Sequence, residues 1–426
     1  VGGYALYMTG ADSNTVTGSF VTNPLGYGAR LDTGADYNTI SYSTIAVNTS
    51  NPQTALHLFS SQGNLVTRSY IENMNAAAFG LILGSGGGRH TVSFSTVVVN
   101  AAARSALFVN ASDSNTITDT TIRNPSGYAL QLDASSEANL LARSTMTSAN
   151  ATYAALDVVG SSNTVDASYV SNTAGHAVQL LNGSILNLIS RSTMTTGAAS
   201  FAALFVNGAD SSTVTDSWMT SPAGHAAQFA SGSNYNTITF STMTAFSATH
   251  NALLLTGADG NTVSGSYLEN LPGEAARLQT GSDLNVIARS TLTSAGAGLA
   301  ALHVVAGSSN TLSLSLVRGS TATHVSASTG TVIAASVLVA TNTAGHVIYA
   351  AAGIVNLALT SSTLQGASAG AGLFLDRGGR GLVSIGSVTV SGVARGLQVS
   401  TQTGAFVLAI DSVTFRNLAS GATAIQ

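Results

Sequence analysis

The stretch "SNTVTGS", residues 13–19, recurs as "YNTISYS" from 37, "SNTITDT" from 114, "SNTVDAS" from 162, "YNTITFS" from 235 and "GNTVSGS" from 260. Anchoring on its asparagine gives Asn14, Asn38, Asn64, then His90 in the same slot, Asn115, Asn139, Asn163, Asn187, Ser212, Asn236, Asn261, Asn285 and Asn310, at intervals of 24 to 26 residues. Two positions later every copy carries an aliphatic residue, from Val16 to Leu312, and five positions later a Ser or Thr, from Ser19 to Ser315. A further aliphatic segment lies upstream, such as "ALHL" from 55 and "ALFV" from 106 and 203. Each repeat therefore holds three short alternating segments separated by Gly, Ser, Asn and Asp turns, with no run of helical period long enough to replace them.

Three strands per repeat predict an all-β, single-stranded parallel β-helix in which each repeat is one coil. Stacking in register places like residues about 4.8 Å apart, and some seventeen coils give a rod about 80 Å long. An inward asparagine then finds amide partners in the coils above and below, each bond contributing roughly 0.5–1.5 kcal/mol. The "NTI/NTV" repeats resemble those of the right-handed parallel β-helix proteins, the pectate-lyase-like superfamily, and the resemblance covers the whole chain. It implies the fold. Members that cleave polysaccharides carry local Asp, His, Arg or Lys signatures, and none is legible here.

A second period lies over the first. The third turn alternates between a short form ("NPSGY" from 124, "NTAGH" from 172, "SPAGH" from 221, "NLPGE" from 270) and a long one ("TSANATYA" from 147, "TTGAASFA" from 195), so the unit is a pair of coils of about 49 residues. Residues 1–323 read as regular coils with an asparagine ladder. Residues 324–426 read as continuing, glycine-richer coils in which only Asn356 keeps the slot. Neither end shows a polar cap, which points to a piece of a longer chain or to a subunit that stacks end to end.

Composition narrows the function. Of the 426 residues 45% are hydrophobic and only 8% charged, the formal net charge is −4, and all 14 basic residues are arginine. A basic nucleic-acid surface is unsupported. No apolar run reaches the length of a membrane span, and the absence of cysteine excludes disulfides and thiolate metal sites.

Three surface rows are candidates. The first is acidic, two positions before the anchor: Asp12 with Asp36, Asp113 with Glu137, and Asp259 with Asp283 fall on adjacent coils, as calcium clamps or carboxylate pairs of a glycosidase. The simpler reading is that each Asp folds its own turn by bonding backbone two residues on. The second is aromatic: Phe20, Tyr70, Tyr169, Trp218 and Tyr267 alternate with threonines six positions after the anchor, spaced to stack on an extended glycan or on a neighbouring rod. The third is the outward slot of the first strand, where Tyr7, His57, Ile82, Phe108, Phe205 and Leu254 are expected to be exposed. The Gly-His histidines His176, His225 and His346 read as surface turn residues.

With no irregular polar cluster in view, the expected function is a structural β-solenoid segment of an extracellular or cell-surface fibre, sheath or matrix, self-associating end to end and laterally, not an enzyme and without a cofactor. The alternative is a polysaccharide-binding protein, and behind it a polysaccharide-degrading one.

Overall fold

Three-residue alternations such as Thr39–Ser41, with Ile40 inward between outward Thr39 and Ser41, are too short to stand alone and become strands only by pairing with the coils on either side. The computed structural model describes residues 3–48, 53–351, 353, 356–368, 370–376, 381–400, 405–419, 421 and 423–426. Among them are fifty-two short strands and no helix, three strands per coil as expected. The chain divides into two compact units, Val1–Trp218 and Met219–Gln426. The expected boundary near 323 falls inside the second.

In the first unit each class of strand pairs in parallel with its counterpart one coil away. Ile40, Val66, Val92, Ile117 and Leu141 thus stand opposite one another in sequence, and all are buried. Each such side chain contributes about 1.5–3 kcal/mol. The second unit repeats the scheme with Ile238, Val263, Ile287 and Leu312.

The asparagine column sits at the inner edge of the turn before the second strand. Its most regular bond is not between amides. The backbone N–H of each anchor donates to the side-chain oxygen of the next: Asn38 to Asn64 at 2.7 Å, Asn139 to Asn163 at 2.9 Å, Asn163 to Asn187 at 2.9 Å, and in the second unit Asn261 to Asn285 at 2.8 Å. Amide-to-amide bonds join only some steps, such as Asn115 to Asn139 at 2.8 Å. His90 fits the slot because its Nδ1 accepts the Asn64 N–H at 3.2 Å. Burial holds its ring down to about 4, so it stays neutral. The Ser column works likewise: Ser43, Ser69, Ser144 and Ser168 each offer Oγ to the N–H one coil back while donating to a carbonyl two residues earlier.

The two-coil period has a reciprocal cause. The short-turn asparagines Asn124 and Asn172 donate Nδ2 to two carbonyls of the preceding long turn, those of Ala101 and Arg104 and those of Asn150 and Tyr153. The long-turn hydroxyls of Ser148 and Thr196 donate to the carbonyls of Gly127 and Gly175 in the preceding short turn. A Cβ on Gly175 would lie 2.4 Å from the Asn150 oxygen and 2.8 Å from Asn172 Nδ2. Gly175→Ala is therefore expected to force the long turn outward and lower stability by about 2 kcal/mol, read as a fall in melting temperature.

Beyond Asn310 the slot keeps its register and changes its chemistry. Thr331 and Leu357 stand opposite each other, followed by Val383, and all three are buried. Asn356, expected in the slot, is exposed one position away and accepts the Leu382 N–H at 3.0 Å. The serine column persists, Ser315 to Ser336 to Ser362.

Candidate functional site

The acidic row is a ladder of its own. Asp12 Oδ1 accepts the Asp36 N–H at 2.9 Å, Asp36 Oδ1 that of Gln62 at 2.7 Å, and Asp113 Oδ1 that of Glu137 at 2.8 Å. In the second unit Asp259 Oδ1 takes that of Asp283 at 2.8 Å, and Asp283 Oδ1 that of Ser308 at 2.6 Å. The backbone partner lies one coil on, not two residues on in the same turn. Among the described residues no group of three His, Asp or Glu side chains is placed to hold a metal ion.

The aromatic row is on the surface, each ring on a third strand opposite threonine: Phe20 against Thr44, Tyr70 against Thr44 and Thr96, Tyr169 against Thr193, Tyr267 against Thr291. Phe20 is 71% exposed and Trp218 55%. The Tyr70 and Tyr267 hydroxyls donate to Glu72 and Glu269.

A second set of exposed rings went unread. Two residues in most coils adopt left-handed backbone, one before the anchor and one four after it, and many are bulky: Tyr37 (φ 55), Tyr42 (φ 48), Phe94 (φ 49), Leu186 (φ 57), Tyr235 (φ 57) and Phe240 (φ 48). Each non-glycine there costs about 1–2 kcal/mol, so coil geometry imposes the conformation on them. Arg68, also left-handed, lies between the Tyr42 and Phe94 rings at 5.5 and 5.4 Å.

The first-strand outward row is largely covered, contrary to expectation. Ile82 and Leu254 are buried, and only Tyr7 of the six is exposed. Rings pack along this face: Phe79 on Phe108, Tyr128 against Tyr153, His176 on Phe205. The Gly-His histidines are not surface turn residues either. His176 Nδ1 accepts the Ala202 N–H at 3.0 Å, and burial holds its ring down to about 4. His225 is buried, its Nδ1 accepting the Asn251 N–H at 3.0 Å. His346 does the same for Ala371 at 3.1 Å.

In the second unit this face opens into a cleft of about 510 Å³ lined by His225, Ala248, Thr249, His250, Asn251, Leu254, Glu274, Arg277, Gln279 and Leu299. Its floor is the polar cluster whose absence the sequence reading assumed. Glu274 ends the short turn "NLPGE" and is buried. Its Oε2 accepts from Asn251 Nδ2 and Arg277 Nη1, both at 3.2 Å, and its Oε1 lies 2.7 Å from His303 Nδ1. Burial works to raise the carboxyl, but the His303 hydrogen bond and the His303 and Arg277 charges outweigh it and hold it below the usual range. Glu274 is thus an anion. Arg277 is pinned from the other side, Nε donating to Gln279 Oε1 at 2.6 Å. His303 stacks on His324, centroids 4.2 Å apart and 11° from parallel, and Nε2 of both rings is buried without a partner. Burial first, then the neighbouring His303, holds His324 down to about 4.

The parts of this cluster come from four successive coils and from both turn and strand, so no spacing rule joins them. The one available signal was Glu274 and Arg277 together in "GEAARLQ", two charges in a chain with few.

The chain belongs to the right-handed β-helix family: the family described as "Right handed beta helix region" matches residues 4–166 and 88–243. No curated protein matches. Among solved structures, the Dettilon tailspike protein is 11% identical with a TM-score of 0.52, over 71% of this chain and 61% of its own. The chain thus spans about three fifths of that tailspike's length. A chain of the Vag8–C1 inhibitor complex is 16% identical with a TM-score of 0.61, over 97% of this chain and 100% of its own. DFA-IIIase from Arthrobacter chlorophenolicus A6 is 13% identical with a TM-score of 0.44, over 68% of this chain and 85% of its own. At such identities the likeness concerns the fold. No helix among the described residues is long and apolar enough to cross a membrane.

Proposed function

We propose that this chain is an extracellular or surface β-helix protein that binds a polysaccharide, with the cleft around Glu274 and Arg277 as its main contact. The observation that carries this reading is the convergence of Asn251, Glu274, Arg277 and Gln279 on one cleft, among coils whose anchor and serine columns run on as ladders from Asn236 to Asn310. Its volume of about 510 Å³ suits a small ligand or a short run of sugar units. A ladder residue repeats because the coil repeats; a cluster that occurs once needs another reason. The rings of Phe20, Tyr70, Tyr169, Trp218 and Tyr267 are accessory platforms on this reading. Glu274 is the single carboxylate lining the cleft, and it is ionised and held by three donors. Binding therefore fits the groups better than hydrolysis by a carboxylate pair.

Ala248 is exposed on the rim, so Ala248→Trp is expected to block the cleft without disturbing the coil and to reduce retention on a polysaccharide array at least tenfold. Trp218→Ala should weaken it only a few-fold. Unchanged retention in Ala248→Trp, with loss in Trp218→Ala, would move the site to the aromatic row.

The structural reading keeps one specific support, the exposed left-handed Tyr37, Tyr42 and Phe94 of the first unit and Tyr235 and Phe240 of the second, which suit contact between copies of the chain. Concentration-dependent sedimentation abolished by Tyr37→Ser with Tyr42→Ser would favour it.

A further inference from the structure

We propose that Arg277 anchors an oxyanion of the ligand, a carboxylate or sulfate, and that a proton on His303 decides whether Arg277 is free to do so. The inference rests on the polysaccharide reading of the cleft.

The guanidinium has five N–H donors. Nε is committed to Gln279 Oε1 and Nη1 to Glu274 Oε2, while Nη2 has no protein partner among the described residues. The side chain is 33% exposed and lines the cleft. A guanidinium pinned through Nε on one side and Nη1 on the other keeps Nη2 as a prearranged, charged donor for an oxyanion.

The gate is the carboxylate that Arg277 and His303 share. The two side chains stand opposite each other on paired strands, and Arg277 Nη1 lies 3.4 Å from His303 Nδ1. The 2.7 Å between Nδ1 and Glu274 Oε1 requires a proton on Nδ1, which leaves Nε2 to gain or lose the second. With His303 neutral, the Glu274 charge is balanced by Arg277 alone, and an arriving anion meets a neutralised pair. With His303 cationic, Glu274 is balanced from its other oxygen, two cations flank one carboxylate, and the surplus positive charge is Arg277 at the cleft. The charged and titratable groups facing His303 are Glu274 and Arg277 from the preceding coil and His324 from the following one, with His225 and His250 also lining the cleft. Burial, with the neighbouring His303, holds His324 down to about 4, so the stacked ring is neutral at pH 5.5 and 7.5 and adds no competing charge.

The test measures binding of the full chain to polygalacturonate, dextran sulfate and dextran at pH 5.5 and 7.5, for the native sequence, Arg277→Gln and His303→Gln. The native chain is expected to bind one or both anionic polymers at least tenfold more tightly at pH 5.5. His303→Gln should lose that difference, and Arg277→Gln should lose anionic binding at both pH values. Arg277→Gln that still binds anions, or His303→Gln with the native pH difference, overturns the proposal. Binding of dextran alone sinks the Arg277 anchor and leaves the polysaccharide reading standing, and retention of none of the three overturns both. Should His303→Gln fail to fold, ¹⁵N spectra of the native histidine rings serve instead. Proton uptake at His303 must track the gain in affinity, and uptake without that gain overturns the gate.

Discussion

Replacing Asn163 by alanine is expected to destabilise its surroundings by about 3 kcal/mol, more than the loss of one ordinary hydrogen bond. Asn163 is 1% exposed. Its Oδ1 accepts from the Asn139 N–H at 2.9 Å and from Asn139 Nδ2 at 3.0 Å, while its Nδ2 donates to the Ser136 carbonyl at 3.0 Å. Alanine strands a buried backbone donor where water cannot reach it, at about 1–3 kcal/mol, and leaves the Ser136 carbonyl short of a partner as well. Asn163→Ser should cost about half as much, because Ser212 in the same slot already accepts the Asn187 N–H at 3.2 Å. A solenoid opens by segments, so hydrogen exchange at the Asn139 amide is the sharpest readout. Protection there unchanged in Asn163→Ala would show that the ladder carries little energy.

Asp157→Asn is expected to stabilise the first unit at neutral pH. Asp157 lies on the strand Leu156–Val158, pointing away from the core, yet it is only 1% exposed. Gln131 Nε2 donates to its Oδ2 at 2.9 Å, and its Oδ1 is buried without a partner. Burial pushes the carboxyl up to about 6, against a small opposing effect of the Gln131 bond. The unfolded chain titrates near 3.9, so between about pH 4 and 6 the folded state holds a proton that the unfolded state has released. Stability is therefore fully present below about pH 4, falls as pH rises to about 6, and is flat above, a loss of about 3 kcal/mol. The amide removes that slope, so melting temperatures of the two proteins should converge in acid and separate at pH 7.5. Parallel profiles would mean that Asp157 is solvated after all.

Inward columns were legible because each coil imposes the same demand. An aliphatic at Ile40, Val66 or Val92, and a polar acceptor beside it, recur for the same reason each time, and the periodicity counts them. Three things escaped. The left-handed sites hold Arg68, Phe94, Arg143 and Leu186, residues with no preference for that conformation, so local propensity gave no sign of them. Burial of the first-strand outward row depends on turns packing back over it, and outward direction did not mean exposure at Ile82 and Leu254. The cleft depends on Glu274, Arg277 and His303 breaking the repeat, and a reading built on recurrence passes over what happens once. The slip from Asn356 to Leu357 has a different origin: Ser361 and Ser362 stand side by side, so the serine five positions after the anchor fits either register, and only the aliphatic Leu359 two positions after Leu357 decides between them.

The reciprocal capping of the third turns has a bearing on how such a chain changes length. An amide of the short kind needs a long bend before it, and a hydroxyl of the long kind needs a tight one, so removal of a single winding sets two of the same kind together, while removal of two leaves each junction matched. Insertions and deletions tolerated in this lineage should therefore keep parity, arriving in blocks of about 49 residues, and an engineered lengthening that copies 98–146 should fold where one that copies only half of it does not.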